Sequence, residues 1–573
     1  MSDNEKVSQV LYEIGEILTI KADRFRSRAF NMAAQRVVAL TEDIRAVHER
    51  GELQGIPGIG KGIAAVIEEV LETGSSTQLE ELREALPKGI RDLIELEGVG
   101  PKKAIRFNEE LGITSVDELE AAIKAKRLRG LKGFGEKTEE NLLRSISERR
   151  LLTRRFMLGA VLPVIKDIEA YMAESDAVLR VQVAGSARRR RETVGDLDVL
   201  VASLRPDEAV ERFVSMPPVI RVLSQGSTKS TVVLERGLQV DLRVIPPEDY
   251  GAALQYFTGS KEHNVKLRTI SVKMGYKLNE YGLFERETDK KVAGEDEEGI
   301  YRVLGMDLME PELRENRGEI EAATEGRLPD LVNLEEIKGD LHVHTEWSDG
   351  NSSIVEMAAK ARQMGLQYIA ICDHTAALGI AHGLDGDRLR EQMAEIDRLN
   401  EGLEDFAVLK GVECDIMADG SLYHPDSLLG DLDFVVASVH SGFNASEEKM
   451  TGRFLSAIHN EHVNSIAHPT GRLIQRRAPY AVDLERLYKA AAAQGVMMEI
   501  NALPDRLDLD DVNSRTAMEN GVTLAIGSDA HSPAQLDFLE LGVSVARRGW
   551  LEAKDVANTL TVDELLKSLE KPS

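Results

Sequence analysis

Residues 184–202 read AGSARRRRETVGDLDVLVA, and this stretch decides how the rest is read. Four consecutive arginines, Arg188 to Arg191, precede Asp196 and Asp198, which stand two residues apart at the start of an apolar run. Along a strand, residues i and i+2 share a face, so both carboxylates point the same way. Two parallel carboxylates beside VLVA repel unless a cation lies between them, and a hard divalent ion suits oxygen donors.

The flanking segments extend this unit. VLRVQVA (178–184), LDVLVAS (197–203) and LQVDLRVI (238–245) read as short strands among helical stretches, a mixed α/β domain. Asp241 on the third strand completes a possible carboxylate triad able to hold two divalent ions. Gly185 and Ser186 offer a close backbone approach and a hydroxyl, and the arginines offer charge to phosphate.

Ahead of this domain a glycine pattern recurs: GIPGIGKGIA (55–64), LEGVGPKKA (96–104) and LKGFGEKTEENLL (131–143). Each reads as helix, tight glycine turn, helix, with the second helix's free N–H groups aimed at an anion. Gly58, Gly60, Lys61, Gly98, Gly100, Lys102, Gly133 and Gly135 are the candidate DNA-backbone contacts, with Lys103 and Lys137 nearby. Contacts of this kind position a duplex without reading its sequence.

The chain has 573 residues, 42% hydrophobic and 29% charged, and a formal net charge of −27. That length predicts several domains. No run of about 18 apolar residues occurs, so no membrane span is expected. The opening MSDNEKVSQVLYEIGEIL lacks the apolar core of a signal peptide, and only two cysteines occur, which together predict a cytoplasmic protein. The acidic excess is concentrated after residue 330, leaving basic clusters before it free to serve as a phosphate footprint.

After residue 338, apolar strand-like runs alternate with helical segments, the pattern of a barrel with its site at one rim. Polar residues fall at the strand ends: His342, His344 and Asp349 in GDLHVHTEWSDG, His374 in YIAICDH, Glu413 in LKGVE, His440 in FVVASVH, His468 in VNSIAHP, and Asp529 and His531 in TLAIGSDAH. Nine N and O donors converging on one rim can hold up to three transition-metal ions. His382, His424 and Arg472 are weaker candidates for substrate phosphate.

GSARRRRETVGDLD and YFTGSKEHNVKLRTISVKMGYKLNEYGLF (256–284) resemble the palm and nucleotide-binding motifs of the family X DNA polymerases. The likeness covers roughly residues 1–315. It implies that Asp196, Asp198 and Asp241 hold Mg²⁺ or Mn²⁺, with Asp241 accepting the primer hydroxyl's proton. It further implies Gly185, Ser186, Arg189 and Gly195 at the triphosphate, Tyr256, Phe257 and Gly259 around the sugar, Asn264 at the base and Arg268 at the template. Lys261 and Val194 depart from the family pattern. Val66 stands where the family's lyase lysine is expected, so 5′-deoxyribose-phosphate lyase activity is not expected. DLHVHTEWSDG, DHT, SVH, AHP and GSDAH resemble the PHP superfamily (polymerase and histidinol phosphatase), which implies a distorted (β/α)₇ barrel and metal-dependent phosphoester hydrolysis using Mn²⁺ or Zn²⁺.

Both halves in this order resemble bacterial and archaeal family X polymerases with a C-terminal PHP domain. The expected fold is multidomain, α and α/β: residues 1–85 a helical helix-hairpin-helix domain, 86–155 thumb-like helices, 156–250 the palm, 251–315 a fingers-like nucleotide-selection part, 316–338 a linker and 339–573 the barrel. The expected function is gap-filling repair synthesis with 3′→5′ exonuclease or phosphoesterase activity, by a monomer acting on gapped or nicked primer–template DNA and dNTP. The alternatives are a template-independent nucleotidyltransferase–phosphatase fusion and a catalytically idle DNA-end scaffold.

Overall fold

The computed structural model describes residues 3–570 apart from 21–22, 39, 41–42, 74–75, 85–92, 94–95, 97–98, 100, 132–133, 154 and 379–380. The chain forms two compact units, Met1–Arg154 and Arg155–Ser573. No helix of the described residues is long and apolar enough to cross a membrane.

The first unit is helical. In the helix Asp3–Ile20, Val7, Leu11, Ile14 and Leu18 recur at spacings of three and four and so share one face. That stripe packs with Ala33 and Val37 of Arg24–Val38 and with Ile63, Val66 and Ile67 of Lys61–Thr73. A second apolar cluster gathers Phe107, Leu119, Ile123, Leu128 and Leu142. Gly58 adopts φ +88°, the left-handed conformation that lets the chain double back before Lys61 begins its helix.

The second unit opens with short strands β1 (Phe156–Met157) and β3 (Thr193–Val194), which pair with each other. A five-stranded sheet holds β2 (Arg180–Val183), β4 (Asp196–Ala202), β5 (Val219–Gln225), β6 (Lys229–Leu234) and β7 (Gln239–Ile245), in the order β2-β4-β7-β6-β5. Only the β4–β7 pair among these is parallel. Leu197, Val199 and Val201 bury one face of β4, while Leu200 and Ala202 pack on Ala253 and Leu254 of the helix Tyr250–Thr258. Beyond the helix Lys261–Lys273, β8 (Tyr276–Asn279), β9 (Gly282–Glu285) and β10 (Lys291–Ala293) form a small antiparallel sheet.

The barrel follows: β11 (Gly339–Val343), β12 (Tyr368–Ile371), β13 (Ala407–Asp415), β14 (Phe434–Ser438), β15 (Ser465–Ile466), β16 (Met497–Asn501) and β17 (Leu524–Gly527), parallel and in chain order. A parallel bridge from Val343 to Ala530 brings the last strand back to the first and nearly closes the ring. Both faces of these strands are buried, which explains their near-continuous apolar sequences. On β12, Tyr368 and Ala370 join a cluster with Phe434, Val436 and Ala525, while Ile369 and Ile371 pack against the surrounding helices.

Residues 316–338, expected as a linker, are packed rather than slack. Glu319 and Val332 are wholly buried, and the Val332 N–H donates to the Leu551 carbonyl at 3.0 Å. The palm also rests directly on the barrel. A Cβ on Gly159 would lie 2.8 Å from the Pro504 side chain, so only glycine allows that approach.

Candidate active sites

The parallel register of β4 and β7 places Asp198 opposite Asp241 and Asp196 opposite Gln239. Paired residues of parallel strands project to one face, so the three carboxylates converge as their alternation requires. Burial, reinforced by Asp196 and Asp241, pushes the Asp198 carboxyl up to about 6. Burial and Asp241 raise Asp196 in the same way. Asp241 is gripped from both sides: the Thr231 hydroxyl donates to one oxygen and the Gln239 amide to the other at 3.1 Å. Three facing carboxylates, two of them with raised pKa values, are a donor set short of positive charge, and divalent cations fit it.

Gly185, at φ +66°, lies against this group, and a Cβ there would sit 3.1 Å from Asp198 Oδ2. Ser186 follows in the same short turn, and Gly195 immediately precedes Asp196. Tyr256 and Phe257 meet edge to face, with ring centroids 5.1 Å apart. Gly259, also left-handed at φ +68°, ends their helix. Asn264 is buried: its amide donates to the Tyr256 carbonyl at 2.7 Å, and its oxygen accepts from Gln255 at 2.7 Å. Arg268 lies one turn further on and donates to the Asn264 carbonyl.

In the barrel all nine expected donors lie at or just beyond the C-terminal ends of strands. Glu413 is their centre. Its Oε1 stands 3.0 Å from His468 Nε2 and 3.2 Å from His440 Nε2, and its Oε2 2.7 Å from His374 Nδ1 and 3.6 Å from His342 Nε2. Burial alone would raise this carboxyl, but the imidazoles of His440, His374 and His342 hold it well below the usual range. His344 Nε2 lies 3.1 Å from His342 Nε2 and 3.1 Å from Asp529 Oδ1, and His531 Nε2 lies 3.2 Å from Asp349 Oδ1. Among the described residues, three groupings able to hold an ion emerge: His344, Asp349, His374 and His531; His342, His344 and Asp529; His374, Glu413 and His440.

Burial, with His531 and His374 nearby, pushes His344 down to about 3, so this imidazole is neutral, the form that binds metal. Its Nδ1 and that of His468 are buried with no hydrogen-bond partner among the described residues. Imidazoles facing carboxylates, with ring nitrogens turned toward one another, fit several bound cations.

Family models match the chain in four places. A helix-hairpin-helix domain covers residues 2–76, a SAM-like helix-hairpin-helix tandem 90–148, the DNA polymerase beta thumb 253–315 and a PHP domain 340–503. The thumb description thus attaches to the segment read above as fingers-like, and the tandem to the one read as thumb-like. The DNA polymerase/3′-5′ exonuclease PolX of Bacillus subtilis (strain 168) is 39% identical over 568 residues, 99% of each chain. The chain belongs to the family X DNA polymerases that carry a PHP domain. A probable phosphatase of Thermoanaerobacter sp. (strain X514) is 33% identical over 233 residues, 38% of this chain and 89% of its own. A Leishmania infantum polymerase beta ternary complex aligns over 40% of this chain and all of its own, at 23% identity and a TM-score of 0.31.

In this family X polymerase the arginine run does not stand open to phosphate as the sequence suggested. Arg188 forms a bidentate pair with Glu297, at 2.6 and 2.9 Å, and donates to the Thr258 hydroxyl. Arg189 is mostly buried, donating to the Thr258 carbonyl and, at 3.1 Å, to Glu315. Arg190 meets Glu540 at 3.2 Å, and Arg191 approaches Glu315 at 3.8 Å. The run therefore ties the palm to the segments packed on it, because desolvated guanidinium groups demand carboxylate partners.

Arg472 is likewise engaged, donating to Glu192 at 2.8 Å and to the carbonyls of Arg506 and Leu507. His424 is buried, whereas His382 is exposed. In the first unit, Gly60 and Gly135 accept the opening hydrogen bonds of the helices Lys61–Thr73 and Glu136–Thr153, and Lys61 is exposed. Lys102 falls in the helix Pro101–Leu111, while Gly98, Gly100 and Gly133 lie outside the described residues.

Residues behind the ligands escaped the sequence reading. Asp415 accepts from His440 Nδ1 at 3.0 Å and from Thr375, and Asp373 accepts from Thr345 and Gln392. Their signal was present: a carboxylate embedded in an apolar strand, as in VECD or CDH, must be hydrogen-bonded or bound to an ion.

Proposed function

We propose that this chain fills short gaps during DNA repair, adding nucleotides in the palm and trimming 3′ ends in the barrel. One observation carries the reading: three convergent carboxylates and nine convergent N and O donors occupy separate parts of one compact unit. The full-length likeness to a named DNA polymerase/3′-5′ exonuclease supports it.

Asp196, Asp198 and Asp241 would hold Mg²⁺ or Mn²⁺; such ions, when bound, neutralise a triphosphate and lower the barrier to hydroxyl attack. Asp241, fixed by Thr231 and Gln239, accepts the primer hydroxyl's proton. The Gly185–Ser186 turn and the Gly195 backbone receive the phosphates of a dNTP. Tyr256, Phe257 and Gly259 wall the sugar, Asn264 faces the base and Arg268 the template. Arg189 has no free role at the phosphates while Glu315 holds it.

His342, His344, Asp349, His374, Glu413, His440, His468, Asp529 and His531 would hold Mn²⁺ or Zn²⁺, up to three ions, which supply Lewis acidity at a phosphoester. The surrounding histidines and carboxylates fix the geometry of the cluster. DNA is gripped through the glycine turns at Gly58, Gly60, Lys61, Lys102 and Gly135. Val66 is 4% exposed in the core and offers no amine for a Schiff base, so lyase chemistry is not expected from that position. The protein works as a monomer in the cytoplasm.

A labelled primer on gapped and on blunt DNA, with Mg²⁺ or Mn²⁺, tests the proposal. Extension on the gap together with Mn²⁺-dependent shortening supports it; absence of both with either ion overturns it.

A further inference from the structure

The geometry points to Glu499 as the residue that positions three of the barrel's metal ligands at once, a role that rests on the metal-site reading above. Glu499 lies on β16, is 2% exposed and belongs to none of the three ion-holding groupings. Its Oε1 lies 2.6 Å from His342 Nδ1. A proton held there leaves the His342 Nε2 lone pair facing the cluster, 3.1 Å from His344 Nε2.

Its Oε2 accepts the His468 backbone N–H at 2.6 Å and the Asn501 amide at 3.2 Å. The same amide nitrogen of Asn501 donates to Asp529 Oδ2 at 2.9 Å. His468 and Asp529 both have positive φ, +29° and +53°, conformations that persist in non-glycine residues only when surrounding contacts impose them. Glu499 and Asn501 make those contacts. Gly527 leaves them room: a Cβ there would lie 2.5 Å from both Glu499 Oε1 and His342 Cβ.

A carboxylate is required because both of its oxygens face N–H donors. Glu499→Gln places an amide NH₂ against one donor and must lose a hydrogen bond. The test uses full-length protein stripped of metal and titrated with Mn²⁺, with free Mn²⁺ followed by its EPR signal, in an Asp198→Ala background that removes palm ions from the count. Glu499→Gln should weaken Mn²⁺ binding by about tenfold or more. In the otherwise unaltered chain it should lose 3′-end digestion at low Mn²⁺, regain it at high Mn²⁺, and extend primers normally.

An unchanged Mn²⁺ dissociation constant, whatever the melting temperature, overturns the role and leaves Glu499 a packing residue. Should Glu499→Gln fail to fold, Asn501→Ser is judged by the same criterion. Protein with the native Glu499 that binds no Mn²⁺ overturns the metal-site reading and this role with it, an outcome distinct from tight binding that the substitution leaves unchanged.

Discussion

Asp241 sits beside Asp198 only because two strands pair in parallel, and hydrogen bonds to Thr231 and Gln239 then hold it in place. Asp241→Ala should lower nucleotide addition at least about a hundredfold, the size expected when a positioned proton acceptor is removed. Digestion of 3′ ends should remain near normal, since the barrel donors are a separate set; parallel loss of both activities in a folded variant would overturn the two-site account. His342→Ala/His344→Ala should do the reverse, abolishing digestion while primers still extend, and elemental analysis should find fewer ions per chain. Valine at position 66 makes a third expectation: borohydride should trap no covalent adduct on incised abasic DNA. An efficient adduct would point to another lysine, with exposed Lys61 the first to replace.

At the scale of elements, the helices beyond the palm sheet are locked by one buried carboxylate. Glu297 opens the helix Glu297–Val303 and lies between Arg188 and the fully buried Arg314, 2.5 Å from the latter. Burial by itself would raise Glu297, but Arg314 and Arg188 pull it down from an ordinary 4.5 to about 2. A folded-state pKa depressed in this way contributes stability that is fully present above about pH 4.5 and is lost as pH falls toward 2. Glu297→Gln leaves the buried Arg314 and the partly buried Arg188 without their charge partner and should cost about 3–5 kcal/mol. Denaturant unfolding at pH 7 reads that cost. The gap between parent and variant should narrow as the pH is lowered below 4.5, and a pH-independent gap would show that charge is not the cause.

At the scale of the whole molecule, charge is divided by task. The chain carries −27 overall, yet in the first compact unit Lys61 and Lys137 stand exposed just after the turns at Gly60 and Gly135. Removing residues 1–150 should weaken binding to gapped DNA and flatten its salt dependence, by about 0.9 in the log–log slope for each phosphate no longer neutralised. Binding as tight as that of the full chain, measured across a salt series, would assign the grip to the second unit. Within that unit, palm and barrel are joined through Arg548, which donates to the Arg189 carbonyl at 2.6 Å and meets Glu315 and Asp511. The arginine run and the packed 316–338 segment therefore act in assembling the two catalytic parts on one body.

The convergent donor groups were legible in the amino-acid order because metal chemistry demands particular residue types at particular strand positions. Asp196 and Asp198 announce themselves by alternation, and the barrel's candidate donors by histidine and carboxylate at the ends of apolar runs. The strand–helix repeat of the barrel was legible for a related reason, since strands buried on both faces must be apolar throughout; the count of seven came from the family resemblance. Pairing over long separations was not. Nothing local in RRRR says whether guanidinium groups will meet a triphosphate or the carboxylates Glu297, Glu315 and Glu540, more than a hundred residues away. Nor does VMMEIN reveal that Glu499 reaches His342, 157 positions earlier in the chain. Local sequence determined which groups can do chemistry. Tertiary structure decided which of them are free to do it, because a buried charge is committed to whatever partner the fold brings beside it.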